Sequence, residues 1–412
     1  MNEIGLLLTF LSLIIWIILL CFRGQFWQAD QRLEATTTEL EVLPSVCAVI
    51  PARNEAELLP TTLRSLFLQD YKGTFSIILI DDHSTDDTAI VAKTIAENST
   101  NSCQLKVISA QPLPPGWTGK LWAIEQGIQH SQTLTPQPDY FLLTDADIEH
   151  DPANIRQLIT KAQQEDLDLV SLMVLLRCQS FWEKLLIPAF VFFFQKLYPF
   201  RWVNDPKNST AAAAGGCILI RSEALNCIGG ISSICEALID DCALAEAVKS
   251  SNTDKGILSR LTSPIIQDKK GKIWLGLSSS TCSLRAYPTL SSIWELVART
   301  AFTQLNYSRS LLLVTLLGMT IIYIIPSLGV ILGLITENWL MTITGLVTWI
   351  LMAIAYSPTL RLYQISPLVA FCLPAIAFLY TLMTLDSALR YWRGQGGAWK
   401  GRVYSATTNN HS

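Results

Sequence analysis

The residues in this chain best suited to chemistry are carboxylates that occur as close pairs beside apolar segments. The pairs are Asp81 with Asp82, Asp145 with Asp147, and Asp240 with Asp241. Carboxylates can ligate hard cations such as Mg²⁺ or Mn²⁺, accept hydrogen bonds from a ligand, or take up a proton as a general base. The ten cysteines include no C-x-x-C pair and no companion histidines at ligand spacing, so carboxylate chemistry is the leading prediction.

Asp145 and Asp147 follow Tyr140 to Thr144, an apolar segment with the length of a strand. At the end of a strand, two carboxylates separated by one residue can converge on a single cation. Mg²⁺ or Mn²⁺ is held by one or two carboxylates together with substrate phosphates. The alternative is that Asp147 caps a helix that begins near Asp151. We predict that Asp145 and Asp147 bind a divalent metal ion.

Asp81 and Asp82 end the apolar run Phe75 to Ile80. Helix capping accounts for the following Asp86 and Asp87, because the helix dipole stabilises acids at a helix N-terminus. Capping does not account for Asp81 and Asp82, which precede the turn. We expect these two carboxylates to accept hydrogen bonds from N–H and O–H groups of a base or ribose.

Asp240 and Asp241 lie at the head of the Ala/Leu-rich segment Cys242 to Lys249. Both helix capping and service as a catalytic base fit this position. Because no histidine or cysteine pair elsewhere offers a base, we predict that the base lies here.

Three basic residues are candidates for phosphate contacts. Lys120, in a Gly-Trp-Thr-Gly-Lys segment, either contacts phosphate or is a solvated lysine in a turn. Arg285 and Arg299 either close over a diphosphate, for which guanidinium geometry is well suited, or bind lipid headgroups.

The segment that must position these residues alternates short apolar strands with amphipathic stretches from Ser45 to about Ser259. This pattern predicts an α/β domain with a mostly parallel sheet, in which ligands bind at the carboxyl ends of the strands. The predicted strands are Cys47 to Ile50 (ended by Pro51), Phe75 to Ile80, Leu105 to Ser109, Tyr140 to Thr144, Leu169 to Leu175 and Cys217 to Ile220. The predicted helices are Ala56 to Gln69 and Asp87 to Glu97.

The rest of the chain is apolar enough for a membrane. Half of all residues are apolar and only 16% are charged, and the net charge of −4 argues against a nucleic-acid partner. Four runs have about the length of membrane-spanning helices: Ile4 to Phe22, Leu311 to Ile335, Leu340 to Tyr356, and Ile365 to Leu385. Arg23 and Arg32 follow the first run, which predicts an outer N-terminus and a cytosolic region from Arg23 to Arg309.

Two features of the apolar segments stay open. Three spans after a cytosolic domain would leave the tail outside, whereas its basic residues favour the cytosol; these are Arg390, Arg393, Lys400 and Arg402. Either one run is re-entrant or interfacial, or the charge rule fails here. The shorter run Leu185 to Phe200 is either an interfacial helix or part of the core beneath the sheet.

Taken in order, four segments between Ser45 and Tyr307 resemble the signature of family 2 glycosyltransferases with a GT-A fold. They are Val49-Ile-Pro-Ala-Arg-Asn-Glu55, Asp81-Asp-His-Ser-Thr-Asp-Asp-Thr88, Asp145-Ala-Asp147 and Asp240-Asp241. Two further segments are similar to the hopene-associated glycosyltransferases of bacteria: Pro115-Gly-Trp-Thr-Gly-Lys120 and Trp294-Glu-Leu-Val-Ala-Arg-Thr-Ala-Phe-Thr-Gln-Leu305.

The resemblance implies a nucleotide-sugar donor and a role for each candidate. The donor would be bound by Pro51, Ala52, Asn54, Glu55, Asp81, Asp82, Lys120, Asp145, Arg285 and Arg299. Asp145 and Asp147 would hold Mg²⁺ or Mn²⁺ against the diphosphate. Asp241 would deprotonate the acceptor hydroxyl in an inverting displacement, supported by Asp240, which stands where the family usually has Glu.

The expected protein is an inverting, metal-dependent enzyme that transfers one sugar, expected to be UDP-linked, to a lipid acceptor such as a hopanoid. A processive polysaccharide synthase is the first alternative. Such synthases have a Gln-x-x-Arg-Trp motif after the catalytic acid. This alternative is disfavoured because Gln195 lies six residues before Arg201, not three, and the Arg201-Trp202 pair precedes Asp241. A catalytically inactive protein that binds nucleotide sugars is the second, disfavoured by the intact acidic pairs.

We expect a multi-pass protein of the inner (plasma) membrane with a cytosolic catalytic domain. The expected division is a membrane anchor and linker at 1–44, a GT-A domain at 45–259, an interfacial segment at 260–310, and a transmembrane region with a basic tail at 311–412.

Overall fold

The computed structural model describes residues 2–33, 43–98, 104–251, 271–394, 398–399 and 402–403. They form two compact units. The sheet unit comprises Gln31–Leu176 and Trp202–Arg285, and the helical unit comprises Met1–Asp30, Arg177–Arg201 and Ala286–Ser412. The expected boundary at 259 and 260, and the tail residue Lys400, lie outside the described residues.

The strands are β1 (Val46–Ala52), β2 (Phe75–Asp81), β3 (Gln104–Ser109), β4 (Tyr140–Thr144), β5 (Ile148–Glu149), β6 (Leu169–Leu175), β7 (Cys217–Arg221), β8 (Ile273–Ser283), β9 (Ala398–Trp399) and β10 (Arg402–Val403). The helices are α1 (Asn2–Phe22), α2 (Leu59–Phe67), α3 (Thr88–Asn98), α4 (Gly119–Ser131), α5 (Asn154–Gln164), α6 (Phe181–Leu197), α7 (Phe200–Val203), α8 (Ser222–Cys227), α9 (Asp240–Ser250), α10 (Leu290–Ala298), α11 (Arg309–Met319), α12 (Ile325–Ile335), α13 (Trp339–Leu362) and α14 (Leu373–Trp392).

The described residues of the sheet unit contain one sheet of eight strands in the order β3-β2-β1-β4-β7-β6-β8-β5. Strand β1 is parallel to β2 and β4, β2 is parallel to β3, and β6 is parallel to β8. Strand β7 is antiparallel to β4 and β6, and β5 is antiparallel to β8. The predicted α/β fold with a mostly parallel sheet is therefore confirmed, with two reversed strands that the sequence pattern did not predict.

Strand β1 continues through Pro51 to Ala52, so the prediction that Pro51 ends this strand is wrong. Its pairing with β4 stops at Val49, while its pairing with β2 continues to the end. Beyond Val49 one side of β1 has no neighbouring strand, and a proline, which lacks the N–H donor, is tolerated there.

Helices cover the sheet through apolar faces at helical spacing. On α5, Ile155, Leu158, Ile159 and Ala162 recur every three or four residues and are buried in the core. Helix α4 approaches the sheet most closely at Gly127, where a Cβ atom would lie 2.5 Å from Val49 Cγ1. Neither α4 nor β8 was predicted from the sequence as a regular element.

Among the described residues of the helical unit, four helical segments are long and apolar enough to cross a membrane: Glu3–Phe22, Arg309–Ile335, Trp339–Leu362 and Pro367–Trp392. They match the four predicted apolar runs. Helices α11 and α12 form one segment, joined through a π-helical turn at Thr320–Ile324. Helices α12 and α13 lie close together because Gly345 has no side chain; a Cβ atom there would lie 2.7 Å from Pro326 O.

Helix α6, which covers most of the run Leu185 to Phe200, belongs to the helical unit. Its Leu186 carbonyl accepts a hydrogen bond from Tyr380 Oη on α14 at 2.9 Å, and Phe192 packs against Tyr356 of α13. The contacts given for this run therefore lie within the helical unit.

Candidate active site

A buried polar network holds the turn that carries Asp145 and Asp147. The Thr144 hydroxyl, at the end of β4, donates to Gly216 O at 2.8 Å and lies 3.0 Å from His150 Nε2. The other ring nitrogen of His150 is 2.9 Å from Asn154 Nδ2. Burial lowers the pKa of His150 to about 3, so the imidazole is neutral at pH 7 and its two nitrogens serve as donor and acceptor.

Arg285 bridges two of the predicted site residues. Its Nε donates to Asp147 Oδ2 at 2.6 Å, and its Nη2 donates to Glu55 Oε2 at 2.7 Å. The bridge follows from the sheet, because β8 pairs antiparallel with β5 and sets Ser283 opposite Ile148. A residue just beyond Ser283 is thereby brought beside Asp147.

Lys120 forms a second bridge on the other side of the Asp145–Asp147 turn. Its Nζ lies 3.1 Å from Asp145 Oδ1 and 3.0 Å from Asp240 Oδ2. Burial acts to lower its pKa, but the carboxylates of Asp145, Asp240 and Asp241 outweigh burial and raise the pKa of Lys120. Lys120 is therefore a charged member of the acidic cluster, and the alternative of a solvated lysine in a turn is wrong.

Asp241 lies in the first turn of α9, as predicted, and its carboxylate is held by backbone donors. Gly215 N–H donates to Oδ2 and Cys242 N–H donates to Oδ1, each at 2.8 Å. Burial and the neighbouring Asp240 raise the pKa of Asp241 to about 6, against the opposing effects of Lys120 and the two N–H donors. This carboxylate is ionised at neutral pH yet has more affinity for a proton than an ordinary aspartate.

These contacts join five carboxylates and two cations into one cluster. The acids are Glu55, Asp145, Asp147, Asp240 and Asp241, and the cations are Lys120 and Arg285. Five negative charges and two positive charges leave a formal charge of −3. Loss of hydration and the nearby Asp147 and Asp240 raise the pKa of Asp145, against the lowering effect of Lys120. Such an excess of negative charge attracts a cation.

The donor atoms at this position fit a hard divalent cation. Asp145 uses Oδ1 and Asp147 uses Oδ2 for their ion pairs. Within residues 43–98, 104–251 and 271–285, the other oxygen of each carboxylate makes no hydrogen bond. Two carboxylate oxygens completed by ligand phosphates are a ligand set that Mg²⁺ and Mn²⁺ accept. No group of three or more His, Cys, Asp or Glu side chains suited to a metal occurs among the described residues.

The predicted nucleoside-binding residues lie around the ends of β1 and β2. Asn54, in a left-handed conformation with φ 53°, accepts from Thr85 N–H at 2.8 Å and its own N–H donates to Ser84 Oγ at 3.0 Å. Arg53 donates to Asp82 O at 2.6 Å, and its guanidinium is 3.5 Å from the Asp82 carboxylate. Asp82 is nearly inaccessible, at 2% exposed.

Asp81 is the last residue of β2, and the N–H of Ser84 donates to its Oδ1 at 3.4 Å. Asp86 accepts from the N–H of Thr88, the first residue of α3, at 3.0 Å, which is the capping role predicted for it. Asp81 and Asp86 thus make different contacts, at the end of β2 and at the start of α3, although they are only five positions apart.

A small cavity connects several of these residues. Its polar lining is contributed by Lys120, Thr144, Asp145, Asp240 and Asp241. Its remaining lining is largely apolar: Pro51, Leu121, Ile124, Leu143, Gly215, Ile218, Ile231, Ile234 and Leu244. Ala52 lies at the end of β1 next to this cavity's Pro51 and is fully buried. The candidate base, a candidate metal ligand and the lysine therefore face one space.

Arg299 is not among these residues, because it follows α10 in the helical unit. Three contributors were not predicted from the sequence: Arg53 beside Asp82, Gly215 as donor to Asp241, and His150 behind the turn of Asp145 and Asp147. Arg53 lies within the quoted motif Val49 to Glu55, and this position was the only available signal.

Residues 47–229 match the model of glycosyl transferase family 2. A 4,4'-diaponeurosporenoate glycosyltransferase of Staphylococcus haemolyticus is 30% identical over 120 residues, which are 29% of this chain and 27% of that protein. An undecaprenyl-phosphate 4-deoxy-4-formamido-L-arabinose transferase of an Enterobacter species is 29% identical over 133 residues, which are 31% of this chain and 36% of that protein. The matched regions thus span about a third of these relatives.

Among solved structures, a mannosyltransferase from Pyrobaculum calidifontis, in complex with GDP-Man and Mn²⁺, superposes with a TM-score of 0.52 at 14% identity. The alignment covers 95% of this chain and 99% of that one, and at this identity it supports the fold alone. The family match, the two relatives and the fold agree with the order of acidic motifs along the chain. The domain at residues 47–229 is therefore a glycosyltransferase family 2 domain.

Proposed function

We propose that this protein transfers a single sugar from a nucleotide-diphosphate sugar to a lipid acceptor, with inversion at the anomeric carbon. The observation that carries the proposal is the cluster that joins Asp145 and Asp147 to Asp241 through Lys120. In this proposal a cation site and a candidate base lie beside one cavity at the carboxyl end of the sheet, whose lining includes Asp145 and Asp241. That is where a parallel α/β sheet binds its ligands.

In this proposal Asp145 and Asp147 hold Mg²⁺ or Mn²⁺ against the diphosphate. When bound, the ion neutralises the charge that develops on the leaving diphosphate. Lys120 and Arg285 keep the two carboxylates oriented before the donor arrives. Because a diphosphate is an anion, both cations gain a further partner when it binds.

Asp241 has the position and the chemistry of the base. Its raised pKa gives it a greater affinity for the acceptor's hydroxyl proton than an ordinary aspartate has. The N–H groups of Gly215 and Cys242 fix its orientation. The acceptor oxygen, losing its proton to Asp241, attacks the anomeric carbon as the bond to the diphosphate breaks, and this single displacement inverts the centre.

The nucleoside would be bound by Pro51, Ala52, Asn54, Glu55, Asp81 and Asp82, with uracil as the expected base. Asp82 is held against Arg53, so Asp81 is the more accessible of the two acids to a ligand. We also propose that Arg299 binds the diphosphate, although no contact described in the sheet unit involves this residue.

The lipid acceptor is supported by the names of the two relatives, which designate 4,4'-diaponeurosporenoate and undecaprenyl phosphate. A hopanoid is the specific acceptor that we propose. The test is a screen of nucleotide sugars in proteoliposomes that contain the full chain and candidate lipids, with Asp241→Asn as the inactive control. Donor-dependent labelling of a lipid in the wild type alone supports the proposal. Release of free sugar without any labelled lipid would refute the acceptor class.

We further propose an inner-membrane location with the catalytic domain in the cytosol, and the helical unit suggests how its basic tail also reaches that side. Helices α12 and α13 form a hairpin, since Gly333 approaches Asn338 and Thr342 near its tip. The start of α11 and the end of α13 therefore lie on the same side. We assign that side to the cytosol because Arg23 follows α1.

After α13 the chain turns back along that helix. Trp349 Nε1 donates to Phe371 O at 3.0 Å, although Trp349 lies ~20 Å along α13 from its end at Leu362. Helix α14 then returns to the level at which α11 begins: Tyr391 stacks on Tyr307 at 4.4 Å, and Arg309 lies over the Trp392 ring at 5.6 Å.

We therefore propose that residues 363–392 enter and leave on one side, as a re-entrant hairpin, and that three of the four membrane-length segments among the described residues cross the membrane. In this proposal Arg390 and Arg393 lie in the cytosol, which removes the conflict with the charge rule. Labelling of single cysteines in intact cells tests it. A cysteine at Gly394 should resist an impermeant thiol reagent, whereas one at Glu337, in the hairpin tip between α12 and α13, should react. Labelling at both positions would disprove the re-entrant hairpin.

A further inference from the structure

Helix α9, which carries Asp241 in its first turn, has a buried lysine in its last turn. Lys249 is 7% exposed, and its Nζ donates to Val203 O at 2.6 Å, to Thr210 O at 2.7 Å and to Trp202 O at 3.3 Å. An ammonium has three N–H donors, and a buried charge needs hydrogen bonds that replace its lost hydration. Three backbone carbonyls therefore hold the end of α9 that lies farthest from Asp241.

These three carbonyls belong to residues 202–216, the supporting segment, which leads into β7. The sheet holds this segment near both of its ends. Asn204 pairs with Leu275 of β8, accepting from its N–H at 2.7 Å and donating to its carbonyl at 3.1 Å. The N–H of Ala214 donates to Ser171 Oγ on β6 at 2.9 Å, and this hydroxyl donates to the Ala214 carbonyl at 3.2 Å. The supporting segment is therefore attached to the sheet on either side of the carbonyl of residue 210.

The supporting segment also contacts the first turn of α9. Gly215 N–H donates to Asp241 Oδ2 at 2.8 Å, and Cys242 Sγ donates to Ala213 O at 3.6 Å. Asp241 and Lys249 are eight residues apart, which is ~12 Å along the helix. Attachment at two points this far apart fixes the direction of α9, whereas attachment at one point would allow the helix to tilt and to turn the carboxylate.

We propose that Lys249 is a positioning residue for the candidate base. By holding α9 on the supporting segment, Lys249 keeps the Asp241 carboxylate directed at the cavity that it shares with Lys120 and Asp145. Lys249 itself is not among the residues that line this cavity, so it acts through Asp241 and not on a ligand. This inference rests on the proposed function of Asp241 as the base.

The first test is hydrogen–deuterium exchange of the full-length protein in detergent, in which the wild type is compared with Lys249→Met. Methionine has a similar length but cannot donate to the three carbonyls. The amides of residues 213–216 and 243–246 should exchange at least about tenfold faster, because buried carbonyls without a donor favour the locally open state. The matched control is Lys207→Met, an exposed lysine in the supporting segment, which should exchange as the wild type does.

The second test separates turnover from donor binding, at a temperature well below the unfolding midpoint. In Lys249→Met, kcat for the donor and lipid that the proteoliposome screen selects should fall about 10–100-fold, because a displacement of about 1 Å can lower a rate about 10²-fold. Binding of UDP with Mn²⁺ should not change, since Asp145 and Asp147 are untouched. Ile77→Ala, which truncates a buried side chain in the first half of β2, controls for a general loss of stability and should keep the kcat of the wild type.

Faster exchange confined to residues 202–210, or an equal fall of kcat in Ile77→Ala, would overturn the proposal in favour of a purely structural lysine. Near-normal kcat in Lys249→Met beside an inactive Asp241→Asn would overturn it and leave the base standing. Near-normal kcat in Asp241→Asn would instead overturn the base itself and, with it, the positioning role.

If Lys249→Met does not fold, Lys249→Gln replaces it. The glutamine amide keeps two N–H donors for the three carbonyls, so exchange and kcat should change in the same direction but less. Wild-type exchange and wild-type kcat in Lys249→Gln would then refute the proposal.

Discussion

Replacing Asp241 by asparagine should remove catalysis while making the folded protein more stable at neutral pH. The variant keeps the size of the side chain but cannot accept a proton. Loss of a positioned base lowers turnover roughly 10²–10⁴-fold. Donor affinity should change little, because the proposed metal ligands Asp145 and Asp147 are untouched.

The effect on stability follows from the raised pKa of Asp241. A rise from the usual 3.8 to about 6 corresponds to ~3 kcal/mol, at 1.36 kcal/mol for each pH unit. Between about pH 4 and pH 6 the folded protein binds more protons at this residue than the unfolded chain does. Stability therefore falls as pH rises through this window, and the whole deficit is present above about pH 6.

Asparagine abolishes that deficit but has one carbonyl oxygen for the two donors, Gly215 N–H and Cys242 N–H. Losing one such hydrogen bond costs ~1 kcal/mol. The net expectation is that Asp241→Asn is ~1–2 kcal/mol more stable than the wild type at pH 7.5, and slightly less stable at pH 4.

The assay combines initial rates, donor affinity and the thermal unfolding midpoint in detergent at both pH values. In the wild type, kcat/KM should also fall tenfold per pH unit below about pH 6, as the base becomes protonated. Asp240→Asn is the matched control, since it should lower turnover less and move this acid limb to lower pH by removing a like charge. Near-normal turnover in Asp241→Asn, or a lower unfolding midpoint at both pH values, would refute the assignment of Asp241 as a buried base.

Two further predictions address the metal and the fold. In Asp147→Ala, metal-dependent binding of a nucleoside diphosphate should weaken at least about tenfold, measured by calorimetry with and without Mn²⁺. The exposed neighbour variant Glu149→Ala should bind normally, and binding by Asp147→Ala equal to that of the wild type in the presence of Mn²⁺ would exclude the site. Gly127→Ala should lower the free energy of unfolding by about 1–3 kcal/mol through overpacking against Val49; Gly318→Ala, where nothing lies within 4 Å of the added carbon, is the neutral control, and equal unfolding midpoints would show that α4 can shift away from the sheet.

Local sequence determined the elements on which the candidate site stands. Strands β4 and β6 begin and end where their apolar runs do, because a buried strand needs consecutive apolar residues and stops where polar side chains must reach water. The same pattern predicted that Asp81, Asp145 and Asp147 lie at strand ends. The four membrane-length segments could be predicted from the sequence equally well, since length and apolarity alone define them.

Tertiary structure decided which charges meet. The ion pairs of Lys120 with Asp145 and of Arg285 with Glu55 join residues far apart along the chain. They arise because α4 packs on the sheet and β8 pairs with β5. Such pairings cannot be predicted from the local periodicity of the sequence. The reversed direction of strand β7 could not be predicted from the sequence either, because a buried strand has the same apolar run in either direction.

The direction of the last apolar run was also beyond the sequence. The composition of residues 367–392 predicts a membrane segment, but a re-entrant hairpin and a full span have the same composition. The re-entrant arrangement that we propose rests on the contacts of Phe371 with Trp349 and of Tyr391 with Tyr307. Burial and spacing along the chain are local properties that a sequence carries, whereas the choice of partner is a property of the whole fold.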